Sequence, residues 1–213
     1  MYESLRQITE CMCDWHHSIS DEWLNTCKNL VNLKKRLVSE IELDGEIYRN
    51  VIDYSRYLNV RSQEIIQDLA SLKLNEGCCI SQRIKAENSI QDKIRRYKTR
   101  KEQGKIPIKK CLNDLFGVRL IGPGRLGKQE LDQFLGENLK HRKLSCKDSS
   151  KNGYRALHVY IMKDNLCFPW ELQIWCNEDE ENNKKNHHFY KQEYTKWEET
   201  YKKGGNLEWY GTL

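Results

Sequence analysis

Residues Leu115 to Gly122 read LFGVRLIG, an apolar run with a single charge, Arg119, stopped at once by Pro123 and Gly124. A run of this length bounded by turn residues predicts a buried strand. Upstream, CCISQRIKA (78–86) alternates like a strand and ENSIQDKIRRYKTRK (87–101) returns to helical spacing, a strand-to-helix unit closed by Gly104 and Pro107. Downstream, residues 128–139 suit a short helix, and three more strand candidates follow: HRKLSC (141–146), YRALHVYIM (154–162) and WELQIW (170–175). From Asn177 the sequence turns acidic, then basic, then aromatic, with enough helix formers for a closing helix. The expected class is α+β, with a mixed sheet of about five strands flanked by helices.

Ahead of this lies a segment of another kind. The first 75 or so residues contain no proline and one glycine, Gly45, and show no strand-like alternation. They predict helices. Ser20, Asp21 and Glu22 suit a helix start, from which Trp23, Cys27, Leu30, Leu33, Leu37 and Ile41 recur at steps of three and four. A second helical stretch runs through Ile47, Val51, Tyr54 and Leu58, and a third through Ile65, Leu69 and Leu72. Two regions are expected, a helical extension over 1–75 and a mixed domain over 76–213.

Composition narrows the function classes. The 213 residues are 38% hydrophobic, 31% charged and 10% aromatic, a polar chain with enough apolar side chains for a core. No stretch approaches the roughly 18 apolar residues of a membrane span, and the N-terminus lacks a signal pattern, so no membrane partner is expected. Nine scattered cysteines, an odd number, point to a reducing, cytoplasmic setting. Cys11, Cys13, His16 and His17 have no second paired-ligand motif to complete a zinc site. The formal charge is +5, concentrated in KIRRYKTRKEQGKIPIKK (93–110), which points to an anionic partner.

Four places hold more chemistry than folding requires. Arg83 and Lys85 share a strand face and lead into Ser89 and Lys93 on the next helix, a cradle for a polyphosphate or, alternatively, a solvated basic edge. Asp114, at the head of the LFGVRLIG strand, suits Mg2+, or else caps the strand or pairs with Arg119. In KNGYRALH (151–158) a glycine turn delivers Tyr154, Ala156 and His158 to one side, either to stack on a base and contact phosphate or simply to pack. Glu171 and Gln173 sit in an otherwise apolar run, where an unpaired carboxylate is costly; with Asp114 on a neighbouring strand, two acids would share one magnesium.

The four motifs RIKAENSIQDK, DLFGVRLI, KNGYRALHV and ELQI, in this order, resemble the synthetase domain of the RelA/SpoT family over about residues 80 to 192. That resemblance implies a sheet similar to that of nucleotidyltransferases and transfer of the β,γ-pyrophosphate of ATP to the 3′-hydroxyl of a guanosine nucleotide. It assigns Arg83, Lys85, Ser89 and Lys93 to the ATP phosphates, and Asp114 and Glu171 to Mg2+, with Glu171 also a candidate base. Tyr154, in the Asn152-Gly153-Tyr154 turn, would stack on the acceptor base, with His158 on phosphate and Gln173 beside Glu171. Where the family continues ELQI with Arg-Thr, this chain has Trp175-Cys176, and His188, Tyr190 and Lys191 look like a remnant of the family's last helix. Without hydrolase or regulatory domains, the chain resembles a stand-alone small synthetase. Stand-alone relatives either make guanosine tetra- or pentaphosphate from GDP or GTP, or act as toxins, some of which modify the 3′-terminal adenosine of tRNA. Partners implied are ATP, GDP or GTP, tRNA and an antitoxin in the toxic kind, and further copies of the chain in a homo-oligomer. A module that binds nucleotide or RNA without catalysis is the alternative of another class.

Overall fold

The computed structural model describes residues 1–99 and 103–186. Two long helices come first, α1 (Tyr2–Thr26) and α2 (Glu46–Ser71). Strand β1 (Cys79–Ile84) and α3 (Glu87–Thr99) follow, then a single turn, α4 (Ile108–Cys111), and β2 (Phe116–Gly122). Helix α5 (Lys128–Asn138) leads to β3 (Leu144–Asp148), β4 (Leu157–Ile161) and β5 (Trp170–Cys176). The five strands form one sheet in the order β1-β2-β5-β4-β3. Only β2 and β5 pair in parallel; the other neighbours are antiparallel, so the sheet is mixed and the class is α+β.

Strand alternation divides the sheet into an apolar and a polar face. Phe116, Val118, Leu120, Leu157, Val159, Ile161, Trp170, Leu172 and Ile174 share one core cluster with side chains from all five helices. Its centre is aromatic: Trp170 donates to the Tyr54 hydroxyl at 3.0 Å and His16 meets the Trp170 ring edge-on, while Tyr54 stacks on Phe168. Helices α1 and α2 therefore pack into the same core as the sheet.

Three N-terminal expectations are corrected. Ser20 is buried inside α1 and is no cap, because Leu5, Ile8, Met12 and His16 extend the apolar stripe upstream in phase with Ile19 and Trp23. The spacing from Trp23 to Ile41 is not one helix. Past Thr26 the chain becomes a docked strap, with Leu33 donating to the Asn165 carbonyl, Val38 to that of Ile106 and Ile108 to that of Arg36. The strap passes so close to Gly104, at φ +71°, that a Cβ there would lie 2.8 Å from the Ser39 nitrogen. Finally, the second and third helical stretches are one helix, α2, because Leu58 and Ile65 lie two turns apart on the same stripe and no glycine or proline intervenes.

The five expected strands all form, and helices span most of the 87–101 and 128–139 predictions. After β5, a 3-10 turn over Asn177–Asp179 passes into helical residues 180–186. The rest of the expected closing helix, with His188, Tyr190 and Lys191, lies outside the described residues.

Candidate active site

Glu171 and Gln173 point to the polar face of β5, the middle strand, and are nonetheless 5% and 8% exposed. Cross-strand neighbours cover them. Glu171 lies opposite Gly117 on β2 and Tyr160 on β4, and Gln173 lies opposite Arg119 and His158. Next out on β2's other side, Arg83 pairs with Gly117. One row of the sheet thus reads Arg83, Gly117, Glu171, Tyr160, and the next carries Arg119, Gln173 and His158.

Asp114 stands two residues before β2, at the same end of the sheet as Glu171. Its carboxylate receives the Lys85 ammonium at 2.8 Å on one oxygen and the Lys93 ammonium at 2.9 Å on the other, with the Arg83 guanidinium 3.8 Å away. Burial alone would favour the neutral acid, but Lys93 and Lys85 outweigh it and hold the Asp114 carboxyl far below the usual carboxylate range. Three cations against one anion leave this pocket net positive, as a site for an incoming polyphosphate requires. Asp114 does not pair with Arg119, whose guanidinium is taken up by Gln173.

Around Glu171 the side chains close into a ring. His158 Nδ1 lies 2.8 Å from Glu171 Oε1, and Gln173 donates to Oε2 at 2.7 Å. The Gln173 carbonyl accepts from Arg119 at 3.1 and 3.2 Å, and the Arg119 guanidinium lies over the Trp175 ring, 3.6 Å from its centroid. Trp175 donates its indole N–H to the Tyr154 hydroxyl at 3.2 Å, and that hydroxyl meets His158 Nε2 at 3.2 Å. Burial works to raise the Glu171 pKa, but the hydrogen bond with His158, aided by that from Gln173, keeps it below the ordinary value despite the nearby Asp114 charge. The Asp114 cluster takes in a neighbour, as Lys93 also approaches the Asn113 side-chain oxygen at 3.3 Å, while the Tyr160 hydroxyl lies 3.4 Å from His158 Nδ1 in the ring around Glu171.

This donor set suits a hard divalent cation. Mg2+ takes one or two carboxylates and completes its shell with water and phosphate oxygens. Both acids are kept ionised, and each Asp114 oxygen accepts from one ammonium only, leaving it a further lone pair. Among the described residues no group of three or more His, Cys, Asp or Glu side chains is arranged to hold a metal. A cation here would depend on the ligand's own oxygens.

The family RelA_SpoT, described as a region found in RelA / SpoT proteins, matches residues 82–195, more than half of the chain and the segment that carries both clusters. The chain belongs to the RelA/SpoT family. Among solved structures it is similar to small alarmone synthetase 1 from Bacillus subtilis bound to its product pppGpp, at 17% identity over 70% of this chain and 83% of that one, with a TM-score of 0.42. Small alarmone synthetase 2 from Bacillus subtilis is similar at 20% identity over 69% and 82%, with a TM-score of 0.40. No curated protein matches the sequence.

Within this RelA/SpoT chain, the residues singled out from sequence fall into three groups. Arg83, Lys85, Lys93 and Asp114 come together, as do Tyr154, His158, Glu171 and Gln173. Ser89 stays apart: it is exposed in the first turn of α3, where its amide bonds the Asn88 side chain. Asn152 is also exposed. With φ +50°, followed by Gly153 at +82°, it forms the two-residue turn of a small hairpin closed by paired Lys151–Tyr154 backbone bonds, so its visible role is to aim Tyr154. Sequence reasoning missed Asn113, Tyr160 and Trp175. For Tyr160 a signal existed, since it continues the even phase of Tyr154, Ala156 and His158.

Proposed function

We propose that this chain transfers the β,γ-pyrophosphate of ATP to the ribose 3′-hydroxyl of GDP or GTP, releasing AMP. The observation that carries the reading is the placement of two ionised acids, Asp114 and Glu171, at one end of adjacent parallel strands, with a net positive cluster on the β1 side and the Tyr154–His158 pair on the β4 side. Lys85, Lys93 and Arg83 bind the triphosphate, and Ser89 receives its outer edge at the start of α3. Asp114 and Glu171 would hold Mg2+, which would neutralise phosphate charge and polarise the transferred group. Tyr154 offers its ring to the acceptor base and His158 its imidazole to an acceptor phosphate, with Asn152 setting the turn. Glu171 takes the proton of the 3′-hydroxyl as that oxygen bonds to the β-phosphorus and the bridge to the α-phosphate breaks. Gln173, bonded at both ends, orients Glu171 rather than reaching for the acceptor.

A second reading takes the 3′ end of tRNA as acceptor. It rests on the docked strap, whose main-chain bonds run the segment of exposed Lys34, Lys35 and Arg36, the last paired with Glu40, alongside the segment of exposed Lys105 and Lys110 to give a cation-rich surface. Such a surface suits a nucleic-acid backbone. The deciding experiment supplies γ-labelled ATP and Mg2+ with GDP, GTP or deacylated tRNA in separate reactions. Label on a guanosine nucleotide supports the first reading, and label on tRNA the second. Transfer to none of them would overturn both and favour a binding module.

A further inference from the structure

Trp175 is 1% exposed, yet it lies outside the main core. With Ile121 and Ala156 it forms a separate small cluster on the polar face, against which Tyr154 packs. An aromatic buried among polar groups needs a partner for its N–H. Trp175 has two polar engagements: the indole N–H donates to the Tyr154 hydroxyl, and the ring face carries the Arg119 guanidinium. Each begins one arm of the ring that converges on Glu171. Through Tyr154 and His158 the first arm reaches Oε1; through Arg119 and Gln173 the second reaches Oε2.

The chemistry of the groups fixes the direction of donation at the Trp175 N–H and along the Arg119 arm. An indole nitrogen only donates and a carboxylate only accepts. Receiving from Trp175, the Tyr154 oxygen has its own hydrogen to give to His158 Nε2 when the imidazole is the Nδ1–H tautomer, and in that tautomer the Nδ1 hydrogen faces Glu171. On the other arm Arg119 only donates, so the Gln173 carbonyl must turn to it and the Gln173 amide N–H2 to Glu171. The Arg119 arm cannot reverse without setting two donors or two lone pairs against each other.

We propose that Trp175 is a positioning residue for the acceptor and for Glu171 at once: its N–H holds Tyr154, and its ring face holds Arg119 and thereby the Gln173–Glu171 pair. This rests on the function proposed above for the roles of Tyr154 and Glu171, but the geometry it asserts has a readout of its own. The two arms separate by substitution. Trp175→Phe keeps a face for Arg119 and deletes the N–H, so the acceptor KM rises about three- to tenfold, the effect of one lost hydrogen bond, while kcat stays within about twofold. Trp175→Leu removes the face as well, and kcat falls too. Should that variant fail to fold, Arg119→Lys, which loses the fork onto Gln173, tests the same arm and lowers kcat.

The test combines kinetics with indole N–H resonances in a 15N-correlated spectrum at fixed pH, the Trp175 signal being the one absent from Trp175→Phe. In Tyr154→Phe that signal moves and exchanges faster with solvent, and the double variant is no worse for the acceptor KM than either single one. An indole signal indifferent to Tyr154→Phe, or additive effects in the double variant, would overturn the proposal. A chain that transfers pyrophosphate to no acceptor while its indole signal still answers to Tyr154→Phe would refute the proposed function and uphold Trp175's hold on Tyr154.

Discussion

Replacing Asp114 with asparagine should destabilise the protein as well as inactivate it. The carboxylate accepts from two ammonium groups, Lys85 at 2.8 Å and Lys93 at 2.9 Å, and the three side chains are only 12%, 13% and 10% exposed for Lys85, Lys93 and Asp114. Asparagine offers one carbonyl oxygen and one amide nitrogen. One lysine keeps an acceptor; the other confronts a donor, inside a pocket that has lost the carboxylate bonded to both ammonium groups while keeping Arg83 nearby. Breaking a buried pair in this way costs roughly 3–5 kcal/mol, and the surviving acceptor argues for the lower end, about 3 kcal/mol. For a chain of this size that is a fall of about 6 to 12 °C in Tm. Thermal melts of wild type, Asp114→Asn, Lys93→Met and the double variant make the measurement. Methionine removes the orphaned ammonium at similar length, so adding it to Asp114→Asn should restore part of the lost Tm without restoring pyrophosphate transfer. An Asp114→Asn protein melting within about 2 °C of wild type, or no recovery in the double variant, would show that the cluster is solvated and not a buried electrostatic unit.

Other outcomes follow from the same geometry. Glu171→Gln should lower transfer by about 100-fold or more, the range of a lost general base, yet cost less stability than Asp114→Asn, because it strands an amide against Gln173 and leaves no bare charge; a larger Tm loss than in Asp114→Asn would refute this ordering. Tyr154→Ala should chiefly raise the acceptor KM, since stacking on a base is worth roughly 1 to 3 kcal/mol, and a fall in kcat alone would remove the stacking role. His16 is fully buried, and burial first of all, against the hydrogen bond to the Phe168 carbonyl, brings its pKa down to about 4. The unfolded chain therefore binds this proton first: the stability from a neutral His16 is complete above pH 6.5 and is lost as pH falls towards 4, by about 2 kcal/mol at pH 5. His16→Gln should flatten this part of the Tm–pH curve, and parallel curves for the two proteins would refute it. Changing Lys34, Lys35 and Arg36 to glutamate should leave transfer to GDP or GTP nearly intact and abolish any transfer to tRNA, which paired assays at two salt concentrations would test.

The sequence discloses elements best where local chemistry and tertiary packing agree. Strand β2 is apolar, short and closed by Pro123 and Gly124, and the KNGY hairpin carries the Asn-Gly pair that its positive φ angles require. The strap over 27–45 shows the opposite case. Apolar residues three or four apart satisfy a helix, but Leu33, Val38 and Ile41 are buried in the strap instead, where main-chain bonds to 104–109 and Asn165 replace those of a helix. No local signal distinguishes the two. The site divides in the same way. Arg83, Lys85, Asp114 and Glu171 are conspicuous as charged residues at strand ends or inside apolar runs. Asn113 and Trp175 show nothing of this kind in sequence and Tyr160 shows only its strand phase; it is cross-strand register that brings Tyr160 opposite Glu171 and Arg119 against Trp175.

The parallel pairing of β2 with β5 is what allows the two acids to meet. Gly117 lies opposite Glu171, so the ends at which both strands begin coincide, and Asp114, just ahead of β2, reaches the space beside Glu171. Reversing β5 in the same span would place Glu171 opposite residues near Ile121, about 13 Å further along the strand at roughly 3.3 Å per residue. A parallel neighbour requires a crossover, and here α5 and the β3–β4 hairpin lie between β2 and β5 in the chain. Part of that crossover then joins the sheet: β4 pairs antiparallel with β5 on the side away from β2 and brings His158 and Tyr160 against Glu171. The cations, earlier in the chain on β1 and α3, are left on the other flank. Spatial order thus departs from chain order: the cations come first in both, but Glu171, which follows Tyr154, His158 and Tyr160 in the chain, lies between them and the cations in the sheet. Asp114, bonded to Lys85 and Lys93, and Glu171, bonded to His158 and Gln173, stand between the two flanks, each tied to its own set of partners.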